Sequence, residues 1–207
     1  MKPITFWFDP VSPFAYLAFE RLPQALEGCS YAVNYRPLLF AGLLAHWGQK
    51  GPAEIEPKRA WTFRHIQWLA HQHRIALDTP AMHPFNPLPL LRLAVACGPN
   101  RRVVEAVMRH VWMGGGDAGD TDRIAALTQA LAPARDPASA DVKNDLRAAT
   151  DEAIARGVFG VPTFELDDRL FWGIDALPML RAALLGDAWF DGPAWDAAAR
   201  PRPGIVR

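Results

Sequence analysis

The passage that most limits the fold runs from Ile4-Thr5-Phe6-Trp7-Phe8, an apolar run of strand-forming residues, into Ser12-Pro13-Phe14. Serine is a favoured residue just before a helix and proline a favoured first helical residue, so the dipeptide fixes a strand-to-helix turn at residues 12 and 13. A helix start presents unpaired backbone N–H groups and the positive pole of the helix dipole, and both attract anions. Read alone, Ser12 is a helix cap. The helix should run to about Leu26, with Phe14, Leu17, Ala18 and Leu22 at helical spacing and Gly28 as its stop. Tyr31 to Arg36 then reads as a second strand, ended by Pro37. The result is a β-α-β unit, whose strands should be parallel and joined by a right-handed crossover.

Strand signals then stop. From Leu38 to about Ala138 the pattern predicts helices at Leu38–Trp47, Lys58–His73, Leu88–Cys97, Arg101–Met113 and Thr121–Leu131, separated by Pro- and Gly-rich breaks. A helix capped by Ser139 follows, to Arg156 with Gly157 as its stop. Gly160–Leu166 and Arg169–Trp172 then form a strand pair turning at Asp167-Asp168. The last predicted helix is Ala176–Leu185, and the tail, with Pro193, Pro201 and Pro203, reads as irregular. The expected division is a sheet-forming unit of residues 1–37 and 139–207 that carries an all-helical insertion at 38–138.

Charge narrows the possible partners. Lys plus Arg and Asp plus Glu are both 22, so nothing recommends nucleic acid or an anionic membrane. Hydrophobic residues make up 50% of the chain, which excludes a disordered one. No apolar run is long enough to span a bilayer, and the opening Met1-Lys2-Pro3-Ile4 leads into a strand, so a cytoplasmic protein is expected. Cys29 and Cys97 are isolated and far apart, and read as ordinary thiols rather than as a disulfide or redox pair. His71 and His73, two apart on a helix, face different sides, Gly114-Gly115-Gly116 lacks the partners of a phosphate loop, and Arg101-Arg102 reads as a solvated helix start. No metal site is expected.

The element order, with Val161-Pro162 at the start of the third strand, resembles a thioredoxin-like fold of the α/β class carrying an inserted helical domain. Several segments narrow the likeness. They are Phe8 to Ala18, Arg36-Pro37-Leu38-Leu39, Pro57-Lys58-Arg59-Ala60-Trp61, His83 to Pro89, Phe159 to Phe164, and Phe171-Trp172-Gly173-Ile174-Asp175. Together they resemble the 2-hydroxychromene-2-carboxylate isomerases and the related kappa-class glutathione transferases, a DsbA-like branch without redox cysteines. Ser12-Pro13-Phe14-Ala15 stands where a redox thioredoxin has two cysteines, so disulfide exchange is excluded.

The resemblance implies glutathione as cofactor and assigns residues to it. Ser12 would donate a hydrogen bond to the glutathione thiolate. Val161, before a proline in a cis peptide bond at Pro162, would offer its backbone to the cysteinyl part. Asp175 would take the γ-glutamyl ammonium, beside Ile174, where the family commonly has a polar residue. Lys58 would meet the glycyl carboxylate, and Gln49 stands where the family usually has Asn. Ala176 replaces a common Arg. A small aromatic or enone substrate would lie against the insertion, near Phe85, Asn86 and Trp112 and within reach of Trp61 or Phe63, while His83 reads as a loop residue.

The implied activity is a glutathione-dependent cis–trans isomerase of an aromatic-catabolism acid, in a protein expected to be a homodimer. Two other readings stay open, a kappa-type glutathione transferase or peroxidase and a non-catalytic binding protein on the same fold.

Overall fold

A computed structural model describes residues 1–200, 202 and 204; Pro201 and Pro203 lie outside the described residues. The sheet is built from β1 (Lys2–Phe8), β2 (Tyr31–Pro37), β3 (Thr163–Leu166) and β4 (Arg169–Trp172), in the order β2-β1-β3-β4. β1 runs parallel to β2 and antiparallel to β3, and β3 turns back on β4 through Asp167, which takes a left-handed φ of 55°. The helices are α1 (Pro13–Ala25), α2 (Phe40–His46), α3 (Glu56–His73), α4 (Leu88–Cys97), α5 (Arg101–Trp112), α6 (Thr121–Leu131), α7 (Ala140–Ala155), α8 (Leu177–Leu184) and α9 (Pro193–Ala198). Of these, α2 to α6 fall between β2 and α7, where the sequence predicts helices alone.

From Ile4 to Phe8, Thr5 apart, β1 is apolar because both of its faces are covered there. Ile4, Phe6 and Phe8 point into the larger core with Phe19, Leu22 and Phe164, where the Phe6 ring stacks on Phe8 at 5.4 Å and on Phe164 at 4.9 Å. Trp7, of opposite parity, points the other way and packs with Leu38, Leu43, Ala153 and Val158. A central strand buried on both sides reads as a continuous hydrophobic run, as this one does.

The Trp7 side of the sheet is also tied by charge. The Trp7 indole N–H donates to Glu165 at 2.9 Å, Arg156 donates to the other Glu165 oxygen at 2.5 Å, and Glu152 joins Arg156 to Arg36. The Arg36 guanidinium lies 5.6 Å over the Trp7 ring. α7 is thereby fastened to β1, β2 and β3 at once. Changing Glu165 to Ala leaves a buried indole N–H without an acceptor and should lower stability by about 1–3 kcal/mol in urea unfolding. An unchanged midpoint would show that the network carries no such weight.

The structure corrects the sequence reading in several places. β3 begins at Thr163 rather than Gly160, since Pro162 has no N–H for a ladder and the Thr163 hydroxyl instead closes a turn on the Gly160 carbonyl at 2.7 Å. α3 begins two residues early, with Pro57 in its first turn. Pro193 starts α9 where an irregular tail was expected; there Trp195 joins Trp189 and Phe190 in a cluster against Phe171. Arg101 is not simply solvated, since its guanidinium lies 4.6 Å over the Phe19 ring. No helix among the described residues is long and apolar enough to cross a membrane.

Candidate functional site

β1 ends at Phe8, and the four residues that follow carry the chain into α1. Asp9, fully buried, organises them. One carboxylate oxygen accepts the Val11 N–H and the other the Phe40 N–H, both at 2.9 Å, while the Ser12 N–H bonds to the Asp9 carbonyl at 3.0 Å. Burial raises the Asp9 pKa from 3.8 to about 7, against the opposing pull of the two N–H groups. Trp112 braces the same turn from behind, its indole N–H donating to the Pro10 carbonyl at 2.8 Å.

Ser12 caps α1 and is 7% exposed. Its Oγ accepts the Ala15 N–H at 3.3 Å and donates to the Val161 carbonyl at 3.2 Å. The Val161–Pro162 peptide bond is cis, and the Val161 N–H has no hydrogen-bond partner among the described residues. One hydroxyl thus spans the helix start and the bend before β3.

Two hollows open beside this contact and share Phe14, His65, Val161 and Trp172 as a common wall. The first, about 690 Å³, holds Ser12, Gln49, Lys58, Trp61, Phe63, His83 and Phe85. The second, about 650 Å³, holds Pro162, Ile174, Asp175, Arg21 and Arg181. Gly160 lets the wall close, because a β-carbon there would lie 2.6 Å from the Trp172 indole nitrogen.

The sequence-predicted residues sort accordingly. Ser12, Gln49, Lys58 and Phe85 share one hollow; Pro162, Ile174 and Asp175 share the other; Val161 borders both. Two expected contacts to a second substrate are corrected. Trp112 is 0% exposed and lines neither hollow, because its indole is committed to Pro10. Asn86 also lines neither; its side-chain oxygen accepts the Leu88 N–H at 3.1 Å, a local turn that starts α4.

His83 is more than a loop residue. It lines the larger hollow beside Phe63 and Phe85. Its Nε2 lies 2.8 Å from the Val11 carbonyl, which can only accept, so that nitrogen carries the proton. Nδ1 is buried without a partner, and burial lowers the ring's pKa, so the imidazole is neutral at pH 7.

Sequence reasoning missed Asp9, Arg59, Arg21 and Arg181. For Asp9 the signal was there, an acid at the end of an apolar strand three residues before a cap. The three arginines carry no such local signal, because only the packing of α3 against α1, and of α8 against α1, brings them to a concave surface.

The profile of the DSBA-like thioredoxin domain matches residues 3–185. A 2-hydroxychromene-2-carboxylate isomerase of Pseudomonas sp. (strain C18) is 31% identical over 194 residues, 88% of this chain and 90% of that protein. Glutathione S-transferase kappa 2 of Caenorhabditis elegans is 27% identical, over 93% and 95%. Among solved structures, a 2-hydroxychromene-2-carboxylate isomerase superposes with a TM-score of 0.79 at 25% identity, over 96% of this chain and 100% of that one.

Proposed function

The chain belongs to the DSBA-like thioredoxin family and, within it, to the 2-hydroxychromene-2-carboxylate isomerases, and on that premise we propose that it is a glutathione-dependent cis–trans isomerase of an aromatic-catabolism acid. The observation that carries the reading is the Ser12 hydroxyl, held at a helix start on the larger hollow and bonded to the carbonyl of Val161, which borders both hollows. Bound glutathione supplies a thiolate that adds reversibly to a conjugated double bond, which can then turn as a single bond and re-form.

The residues present fit that cofactor. The unpartnered Val161 N–H and its carbonyl are a donor and an acceptor side by side, as an extended peptide requires. Lys58 and Gln49 on one side suit the glycyl end; Asp175 on the other suits an ammonium. Arg21 and Arg181, which make no carboxylate ion pair among the described residues, offer the same hollow the cation that Ala176 does not. Ile174 and Pro162 give it apolar walls.

Ser12 has two tasks in this reading. Its lone pair keeps the Ala15 N–H, so the cap persists. Its O–H, now donated to the Val161 carbonyl, would turn to donate a hydrogen bond to a thiolate held there, and a peptide N–H would take its place on the carbonyl. The helix start adds its positive pole to the same point. The second substrate would lie against Phe63, His83 and Phe85 in the larger hollow.

The reading divides the chain into a thioredoxin-like part, 1–37 and 139–207, and an inserted helical part, 38–138, so that the sulfur contacts come from the first and the substrate wall from the second. It also puts the protein in the cytoplasm as a homodimer. Purified protein should change the ultraviolet spectrum of 2-hydroxychromene-2-carboxylate only when glutathione is added; an unchanged spectrum overturns the proposal. Conjugation of a dinitrohalobenzene without isomerisation would instead identify a kappa-type transferase acting through the same residues. Changing Lys58 to Ala should weaken glutathione binding about tenfold by calorimetry, the loss of one charge-assisted contact at an exposed position. Equal heats and affinity would remove Lys58 from the site.

A further inference from the structure

α3 carries two cations in succession, Lys58 and Arg59, and both border the larger hollow. Neighbouring residues on a helix do not share a face, so the two cannot meet the same group in the same way. Arg59 shares its face with Phe63, four residues on, and Phe63 meets the His83 ring edge-on at 5.3 Å. The charge of Arg59 is near enough to His83 to oppose its protonation. His83 is in turn held on the carbonyl of Val11, the residue before Ser12. Arg59 therefore borders the same hollow as Phe63, His83, Phe85 and Ser12, on a different face of α3 from Lys58.

Among the described residues no carboxylate pairs with Arg59 there. The acids bordering this hollow are Asp9 and Glu54. Asp9 is fully buried and accepts from the Val11 and Phe40 amides, and a Glu54 oxygen accepts the Gly51 N–H at 2.5 Å. Arg59 makes no ion pair among the described residues. A planar guanidinium beside an aromatic wall matches one kind of ligand, a flat apolar body bearing a carboxylate that the fork can hold with two hydrogen bonds.

We propose that Arg59 binds the carboxylate of the second substrate and so selects flat aromatic or enone acids over their uncharged analogues. The assignment rests on the isomerase reading for the place of glutathione, with Lys58 serving the cofactor and Arg59 the substrate. Holding the acid at Arg59 orients the conjugated chain toward Ser12, where the sulfur would attack.

The test uses 2-naphthoate and 2-naphthamide as unreactive probes, titrated calorimetrically into the full chain without glutathione, and glutathione titrated separately. Wild type should bind the acid about ten- to a hundredfold more tightly than the amide. Arg59→Gln should erase that preference and leave glutathione affinity within about twofold, while Arg59→Lys should keep part of it. Lys58→Gln should do the opposite, weakening glutathione and sparing naphthoate. Equal binding of acid and amide by wild type, no binding of the acid, or loss of glutathione rather than naphthoate affinity in Arg59→Gln would overturn the proposal. Selective naphthoate binding by a protein that gives no heat with glutathione would leave Arg59 as an anion site and overturn the glutathione reading alone.

Discussion

Changing Ser12 to Ala is expected to lower the glutathione-dependent isomerisation rate, as kcat/KM, by about ten- to a hundredfold. The hydroxyl makes one charge-assisted hydrogen bond to the sulfur in our reading, and such a bond contributes about 1.5–3 kcal/mol. The helix start remains after the change, so part of the anion stabilisation remains with it. The loss should therefore appear as a shift of the bound thiol's titration to higher pH, visible in thiolate ultraviolet absorbance, with the rate recovering as pH is raised. Stability should fall as well, by about 1 kcal/mol, since the Ala15 N–H loses its cap and the buried Val161 carbonyl its donor. Ser12→Thr keeps a hydroxyl at the cap and should restore both properties in part. A Ser12→Ala protein that loses stability but keeps its rate and thiol titration would reduce Ser12 to a helix cap.

How much of this was legible in the sequence depends on how local each signal is. The Ser12-Pro13 junction, the capped helix behind Ser139 and the hairpin at Asp167-Asp168 are written in adjacent residues, and all three stand as read. The five helices between β2 and α7 also stand, because their apolar spacing and their Pro and Gly breaks are local. What fails is what depends on packing. Trp112 and Phe85 look alike as large aromatics in a helical region, yet Trp112 lies on the inner face of α5, reaches Pro10 and is sealed in, while Phe85 remains on the hollow's wall. Asn86 looks like a free amide until the start of α4 takes its oxygen. Arg21 and Arg181 stand far apart in sequence and border one hollow only because α1 packs on α8. Family likeness pointed to a cis bond at Val161-Pro162, which the fold has, and its segments take in Asp9 and Arg59 without giving either a role.

Asp9 gives the second large effect, and its sign is opposite to that of an ordinary salt-bridged acid. Its folded pKa, about 7, lies above that of an unfolded aspartate near about 3.9, because burial disfavours the charge more than two N–H donors favour it. Between those values the folded chain keeps a proton that the unfolded chain has released, so this residue's contribution to stability falls as pH rises from about 4 to about 7 and stays low above that. The full change is on the order of 4 kcal/mol. Asp9→Asn removes the titration but offers one acceptor for two N–H groups, a fixed loss of about 1–2 kcal/mol. Wild type should thus be the more stable protein near pH 4 and the variant the more stable near pH 8, with the gap between their urea-unfolding free energies reversing around pH 5. The residue is kept despite that penalty because it holds Val11 and Phe40 together: the turn that aims Ser12 and the start of the helix leading to Gln49 hang from one carboxylate. A stability gap between the two proteins that does not change with pH would mean that Asp9 is ionised, or solvated, throughout, and its place as the pin beneath Ser12 would need another cause.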